Sequence, residues 1–412
     1  MRIECVGGGP GGLYLAILLK LRDPGHEVTV YERGKPGSIS GLGVTFRATL
    51  LAQVQGQHRG LADEIEAAAV CWRGQTVHVR GEQVKVPSEE SYTISRLRLV
   101  EILTSRAQAL GVRVVHGTEI VSLGQLHPAA DLVVAADGVN SVVRQLAEGF
   151  KTHKTPAGNK YIWLGSDHVF GPLHYFFTET EHGWVWAHAY SIDSETSTFA
   201  VECSPQTFRA LGFDRMTTGE AIPVIENMFK EYLYGSQLTA DLGDGTIARW
   251  SNFRTISNEH WYAGNVVLLG DSAHTTHFST GKGTTLALQD AACLADQLAR
   301  QADVGSALKS YELQRKHDLA GDVVEAYWSA RWFDSLDRYI GLKPQRFGAL
   351  LFGRTSSLVA VLPPRLYHLL RPVAQKAQLA NRARAAVQGL YSRRRLARIP
   401  PADNQRDSSL AA

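Results

Sequence analysis

The sequence predicts an α/β protein: an open, mostly parallel sheet wound by helices, interrupted by a β-rich insertion and followed by further helices. Three observations predict it. Apolar, strand-like runs end on glycine or aspartate turns at three places far apart in the chain. The first of these turns leads straight into an apolar helix, as in a βαβ unit. Between the second and third turns, aromatic residues recur with the two-residue period of strands.

Residues 2–6, Arg-Ile-Glu-Cys-Val, read as a short buried strand, and Gly7-Gly8-Gly9-Pro10-Gly11-Gly12 follows at once. Leu13 to Leu21 continue as an apolar helix. Gly7, Gly9 and Gly12 fit G-x-G-x-x-G: the first for a tight turn, the second for close approach of a pyrophosphate, the third for helix–strand packing. The helix start offers free N–H groups to phosphate. A second strand, Val28 to Tyr31, ends on Glu32, twenty positions after Gly12, where a carboxylate can accept from a ribose hydroxyl. Glu32 and its neighbour Arg33 therefore join the expected cofactor site. The unit is Rossmann-like and commits the first domain to an ADP-containing cofactor, without separating NAD from FAD.

Leu132 to Ala136 is a continuous apolar run, the mark of a strand buried on both faces, and it ends in Asp137-Gly138. Asn265 to Leu269 is another, ending in Gly270-Asp271. Ser272-Ala273-His274 and a loop to Lys282 then lead into a helix over 283–300. In an open parallel sheet, ligands gather at the carboxyl ends of the strands. Three such turns point to one long cofactor touched by discontinuous segments; NAD alone would not need the third.

Composition bounds the rest. With 412 residues, 44% hydrophobic and 20% charged, the chain is an ordinary globular protein of one oversized domain or two to three intimate ones. A net charge of +3 is too small to argue for nucleic acid. The four cysteines are scattered, with no C-x-x-C, so neither a disulfide framework nor a zinc site is expected and a reducing, cytoplasmic compartment fits. No apolar run reaches the length of about 18 residues that a membrane span needs. The expected division is a first cofactor-binding part over 1–150, a β-sheet substrate domain over 151–258, a second cofactor-binding part over 259–340, C-terminal helices over 341–399 and a disordered tail over 400–412. The basic C-terminal stretch includes Arg393, Arg394 and Arg395 and would suit an anionic partner.

These turns resemble the three fingerprints of the FAD-dependent aromatic hydroxylases, the class A flavoprotein monooxygenases, in the family's order. The resemblance implies FAD as cofactor, with NAD(P)H and O₂ as co-substrates and a C4a-hydroperoxyflavin delivering oxygen to an aromatic ring. It implies that Asp271 binds ribityl or ribose hydroxyls, that Asp137-Gly138 lies near the pyrophosphate and serves NAD(P)H use, and that Arg96 of Ile94-Ser95-Arg96 contacts FAD. The segment Gly281-Lys282-Gly283-Thr284 would present N–H groups and a helix dipole to the flavin's N1–C2=O edge, with Lys282 as an added cation. The form His277-Phe278-Ser279, together with Gly41 to Phe46 and Lys160 to Gly165, resembles the branch acting on salicylyl-CoA and 2-aminobenzoyl-CoA. That branch usually carries tryptophan over the flavin, where this chain has Leu42. A small aromatic substrate, presented on CoA or a carrier protein, is the expected partner.

Tyr161, Trp163, Tyr175, Phe176, Phe177, Trp184, Trp186 and Tyr190 supply aromatic walls. Trp186 and His188 share the parity of one strand face and, with Phe278, are the expected substrate contacts. His277 is the one candidate for a role at the reacting centre, and no general base is assigned. Other flavoprotein readings stay in view: a halogenase, whose Trp-x-Trp-x-Ile-Pro motif is absent; an oxidase or reductase without oxygen insertion; and a non-catalytic FAD-bound partner.

Overall fold

A six-stranded sheet carries the three turns on neighbouring strands, the second between the first and the third. In the computed structural model, which describes residues 1–38, 41–242, 245–364, 366 and 367, its strand order is Tyr262–Ala263, Val266–Leu268, Leu132–Ala135, Arg2–Val6, Glu27–Glu32, Arg113–His116. All neighbours are parallel except the antiparallel edge pair Tyr262–Ala263 with Val266–Leu268. Central strands are buried on both faces, as the unbroken runs predict: Leu132–Ala135 has every residue buried. Helices Pro10–Arg22 and Gly283–Arg300 pack against each other. Because parallel strands share a direction, the glycine loop, Asp137-Gly138 and Gly270-Asp271 all emerge at one edge.

The insertion is an eight-stranded sheet in the order Leu238–Thr239, Thr152–Ser166, Ser197–Cys203, Gly183–Ser191, Leu173–Thr180, Gln75–Val79, Glu82–Val86, with Ser251–Asn258 also on Thr152–Ser166. Six of its strands lie between Thr152 and Asn258. One difference stands out. The strands Gln75–Val79 and Glu82–Val86 come from inside the stretch assigned to the cofactor domain, and Gln75–Val79 pairs in parallel with Leu173–Thr180. Val77 and Val79 are fully buried there, paired with Tyr175 and Phe177 and so on the same sheet face as those rings.

Cross-strand register sorts the side chains. Phe177, Trp186, Glu202 and Tyr161 are opposite one another, as are Tyr175, His188, Ala200 and Trp163, so both rows lie on one face. The other face, with Phe176, Val185, Ala187, Phe199 and Val201, packs on Ile225 and Phe229 of helix Thr218–Leu233. The long helix Val304–Asp334 and the short helices Asp337–Ile340, Pro344–Phe352 and Ser357–Val361 follow. Residues 1–360 are one compact unit. Of the second, 361–412, the described part contains a turn in which the Leu366 and Tyr367 N–H groups donate to the Pro363 carbonyl. Arg393, Arg394, Arg395 and the expected tail lie outside the described residues. No described helix is long and apolar enough to cross a membrane.

Candidate active site

The first part of the site is a cradle made by the three turns. Gly7 has φ +113°, and a Cβ there would stand 2.3 Å from the Ala136 carbonyl oxygen; a Cβ on Gly12 would stand 2.3 Å from that of Gly7. No other residue type fits at either position. Gly9, by contrast, faces open space, with no heavy atom within 4 Å of the place its Cβ would take. The loop is thus tight behind and open in front, where a pyrophosphate would lie. Glu32 holds it in place by accepting from the Gly8 N–H at 2.9 Å and the Gly34 N–H at 2.8 Å. Arg33 beside it is exposed.

Asp137 does two things. One carboxylate oxygen accepts from the Val142 and Val143 N–H groups at 2.7 and 3.1 Å and so caps the next short helix. The other is buried and has no partner among the described residues. Gly138 takes the left-handed φ of +79° that turns the chain. Arg144, which sequence reasoning missed, ties this turn to the next: it is 4% exposed and donates to the Val139 carbonyl at 2.8 Å and the Ser272 carbonyl at 2.7 Å.

Behind the Gly270-Asp271 turn sits a buried ionic hub. Asp290 is fully buried and accepts from the Gly270 N–H at 3.0 Å, His274 Nε2 at 2.8 Å and Arg315 Nε at 2.8 Å. Burial works against its charge, but His274 and Arg315 together hold its carboxyl below the usual range. The hub anchors the turn and leaves Asp271 facing the cleft. Asp271 is accessible to solvent there, yet protein crowds it on its other sides. That crowding pushes its carboxyl up, against the opposing pull of His274 and Arg96. Arg96 is therefore within electrostatic reach of Asp271, and its buried Nε has no partner among the described residues.

Gly281 has φ +64°, and a Cβ there would meet Thr45 Oγ1 at 2.6 Å. The helix start at Gly283 lies where it was expected. Thr284 borders a small apolar cavity with Phe46, Leu50 and Leu288. Lys282 departs from expectation. Its ammonium is held by Asp322 at 2.5 Å and Glu325 at 2.6 Å on the long helix, so its charge is neutralised there and is not a free cation for the flavin edge. The open face of Gly9, the unpaired oxygen of Asp137, the unpaired Nε of Arg96 and the cleft-facing Asp271 fit FAD: phosphate, hydroxyl and ring-edge partners spread over one long groove.

The second part is an aromatic chamber. Phe278 is its centre, with ring centroids at 5.0 Å from Tyr161, 5.6 Å from Trp163, 6.0 Å from Phe253, 4.5 Å from His277 and 6.2 Å from His188. His188 packs against Tyr175 at 4.8 Å and Phe333 at 5.3 Å. Its Nε2 is buried and unpaired among the described residues. Burial, with help from Arg354 and His277, holds His188 neutral down to about 3. His277 is likewise held neutral to about 4 by burial and by Arg354. The structure thus brings His188, His277 and Phe278 together as expected.

Trp186 is placed differently. It is 2% exposed, its Nε1 donates to Glu202 at 3.1 Å, and its ring stacks on Phe333 at 5.8 Å. With its ring stacked on a helix side chain, its polar edge bonded and almost none of it exposed, it is a wall of the core and not an open contact. Glu202 also accepts from Asn159 at 2.9 Å, and burial pushes its carboxyl up to about 8. Sequence reasoning also missed Arg354, which reaches into the chamber from the chain's far end. Its guanidinium donates to Ser329 Oγ at 3.0 Å, Tyr175 Oη at 3.2 Å, the Ser279 carbonyl at 2.7 Å and the Leu351 carbonyl at 2.9 Å.

Comparison with known proteins agrees with both halves. The model of an FAD-binding domain family matches residues 124–326, and that of an NAD(P)-binding Rossmann-like domain matches residues 5–49. The chain is 34% identical over 345 residues to a salicyloyl-CoA 5-hydroxylase of a Streptomyces species, covering 82% of this chain but only 66% of that protein. It is 36% identical over 338 residues to a 3-hydroxy-4-methyl-anthranilyl-[aryl-carrier protein] 5-monooxygenase of Streptosporangium sibiricum, covering 82% of this chain and 90% of that one. Among solved structures, 2-methyl-3-hydroxypyridine-5-carboxylic acid oxygenase superposes with a TM-score of 0.67 at 20% identity, over 86% of this chain and 95% of the other. A probable FAD-dependent monooxygenase from Pseudomonas aeruginosa does so at 0.63 and 19%, over 86% and 99%; both matches show the fold. With its three cofactor turns in place and a monooxygenase relative matched over nine-tenths of its length, this chain belongs to the FAD-dependent aromatic monooxygenases.

Proposed function

We propose that this enzyme hydroxylates an aromatic acyl group presented as a thioester, on CoA or on a carrier protein, and that it does not act on the free acid. Two relatives with such substrates in their names support the reading. The observation that carries it is the state of Arg354. Arg354, the half-buried cation of the chamber, already spends its donors on two carbonyls, a serine and a tyrosine, so it has no pair of free N–H groups left to hold a substrate carboxylate in a bidentate grip. An acyl thioester is uncharged at that end and asks for no such partner.

FAD, when bound and reduced by NAD(P)H, supplies the activated oxygen. The chain's own residues do the rest. The open face of the glycine loop and the start of helix Pro10–Arg22 receive the pyrophosphate. Asp271 accepts from cofactor hydroxyls, and Arg96 offers its unpaired Nε. Phe278, Tyr161, Trp163 and Phe253 exclude water from the reacting centre, which guards activated oxygen against loss as peroxide. His188 and His277, both neutral, orient the substrate without adding charge.

The test is NADH and NADPH oxidation by the purified holoenzyme with salicylyl-CoA, 2-aminobenzoyl-CoA and the matching free acids, followed by mass spectrometry. Gain of one oxygen on the thioesters alone is expected. Equal hydroxylation of the free acids removes the thioester reading. NAD(P)H consumption with peroxide release on every CoA ester moves the search to carrier-bound acyl groups.

A further inference from the structure

We propose that His277 is a fixed hydrogen-bond donor to an oxygen of the substrate, locked in its Nε2–H form by a one-way hydrogen-bond chain that starts at Arg354. The inference rests on the aromatic-hydroxylation reading above and names the residue that selects the substrate's ring substituent.

The chain is Arg354 Nε to Ser329 Oγ at 3.0 Å, Ser329 Oγ to Ser279 Oγ at 2.7 Å, and Ser279 Oγ to His277 Nδ1 at 2.8 Å. Its direction follows from what each group can do. A guanidinium only donates, so Ser329 Oγ accepts from Arg354. Ser329 has one hydroxyl proton, and its other contact is Ser279, so Ser329 donates to Ser279. Ser279 in turn donates to His277 Nδ1. A second observation agrees independently: the Ser279 backbone N–H, a donor under all conditions, also points at His277 Nδ1, at 3.4 Å. With two donors aimed at Nδ1, the proton of the neutral ring must sit on Nε2.

That Nε2–H has no hydrogen-bond partner among the described residues. The ring bearing it stands between Phe253 at 4.9 Å and Phe278 at 4.5 Å, in the chamber wall. Here a donor that is never an acceptor faces the space where the ring would be hydroxylated. Its complement is an acceptor oxygen on the substrate's ring, such as a phenolic oxygen. An amino substituent at the same place, whose own N–H groups donate, leaves two donors facing each other. His277 is thus a contact residue; Ser279, Ser329 and Arg354 are positioning residues that act through it.

Two measurements on the full-length holoenzyme test this. The first is ¹⁵N chemical shifts of histidine-labelled protein, with His277→Gln used to assign the signal. The Nε2–H form is expected in the wild type, with a shift toward the other tautomer in Ser329→Ala, where the chain is cut. A wild-type ring protonated on Nδ1 overturns the proposal whatever the activity shows. The second is steady-state kinetics with salicylyl-CoA and 2-aminobenzoyl-CoA. His277→Phe is expected to raise KM for salicylyl-CoA by roughly tenfold, the size of one hydrogen bond in a desolvated site, and to change that of 2-aminobenzoyl-CoA little. His277→Gln, which keeps an N–H near the Nε2 position, should recover most of the loss. Benzoyl-CoA checks the contact: loss of the His277 effect on removing the ring hydroxyl assigns it to that oxygen, and persistence overturns the selectivity. An equal KM change for hydroxyl and amino substrates overturns the selectivity. If the wild type hydroxylates neither CoA ester, the kinetic comparison passes to the carrier-bound acyl groups, while the tautomer still decides the state of His277.

Discussion

The cofactor cradle and the aromatic chamber meet at the turn before Gly283, yet they are held by opposite means. The cradle is fixed by backbone geometry and full charges: glycines where a Cβ would strike a carbonyl, and Asp290 binding His274 and Arg315 in one buried hub. The chamber is fixed by rings and neutral groups. Its two histidines are uncharged, and its cation donates only to carbonyls and hydroxyls while lying over the rings of Tyr175 and Phe333. A charged cofactor that every turnover needs can be met by rigid, charged machinery. An apolar ring awaiting oxygen needs a dry wall and weak, directional contacts. The difference teaches that one turn can serve both if its charges are kept on one side, as Lys282 shows by bonding away from the flavin edge.

The comparison can be broken at four places. The largest effect is expected at the hub. Asp290→Ala leaves a guanidinium and an imidazole buried without their counter-charge and should cost about 3–5 kcal/mol in urea unfolding; a loss below about 1 kcal/mol would mean the turn does not depend on the hub. Next is Asp271→Ala, which should weaken FAD by roughly ten- to hundredfold and yield protein with depleted flavin absorbance after gel filtration. Full retention of FAD would take Asp271 out of the cradle.

The third test bears on the chamber's neutrality. His188 stays neutral in the folded state down to about 3, while a free histidine takes its proton near 6.5. Between those values the unfolded chain binds a proton that the folded chain refuses, so His188 makes stability fall as pH drops, by about 1.4 kcal/mol per pH unit in that window. His188→Phe should flatten the unfolding free energy between pH 4 and 6 by about one proton's worth. An unchanged slope would mean that His188 is already charged. The smallest effect is expected from Lys282→Met. Loss of two partly exposed ion pairs should cost up to about 1 kcal/mol and leave the rate of flavin reduction by NAD(P)H unchanged. A large fall in that rate would return Lys282 to the cradle.

How much of this was legible follows the same divide. Gly7, Gly12, Asp137 and Asp271 could be read because each answers a local demand, a positive φ, a close backbone approach or a turn at a strand end, that leaves its mark within a few residues. Arg144 and Arg315 could not, since their partners are a carbonyl and a carboxylate far along the chain. The face shared by His188 and Trp186 was legible from strand parity, but parity cannot tell an open position from a sealed one; Glu202 and Phe333 seal Trp186 from other segments. Arg354 carries no local signal at all. Nor does Gln75–Val79, whose partner strand is made much later.

That late pairing bears on how the protein can be built and rebuilt. While the chain is being synthesised, the hairpin Gln75–Val86 must wait with an unpaired edge until Leu173–Thr180 emerges, a long-range closure of the kind that slows folding and invites misassembly. For the same reason the insertion is no transplantable cassette: a chimera that exchanges residues 152–258 alone leaves two strands of the recipient's sheet behind, and only an exchange that carries Gln75–Val86 along moves the whole sheet.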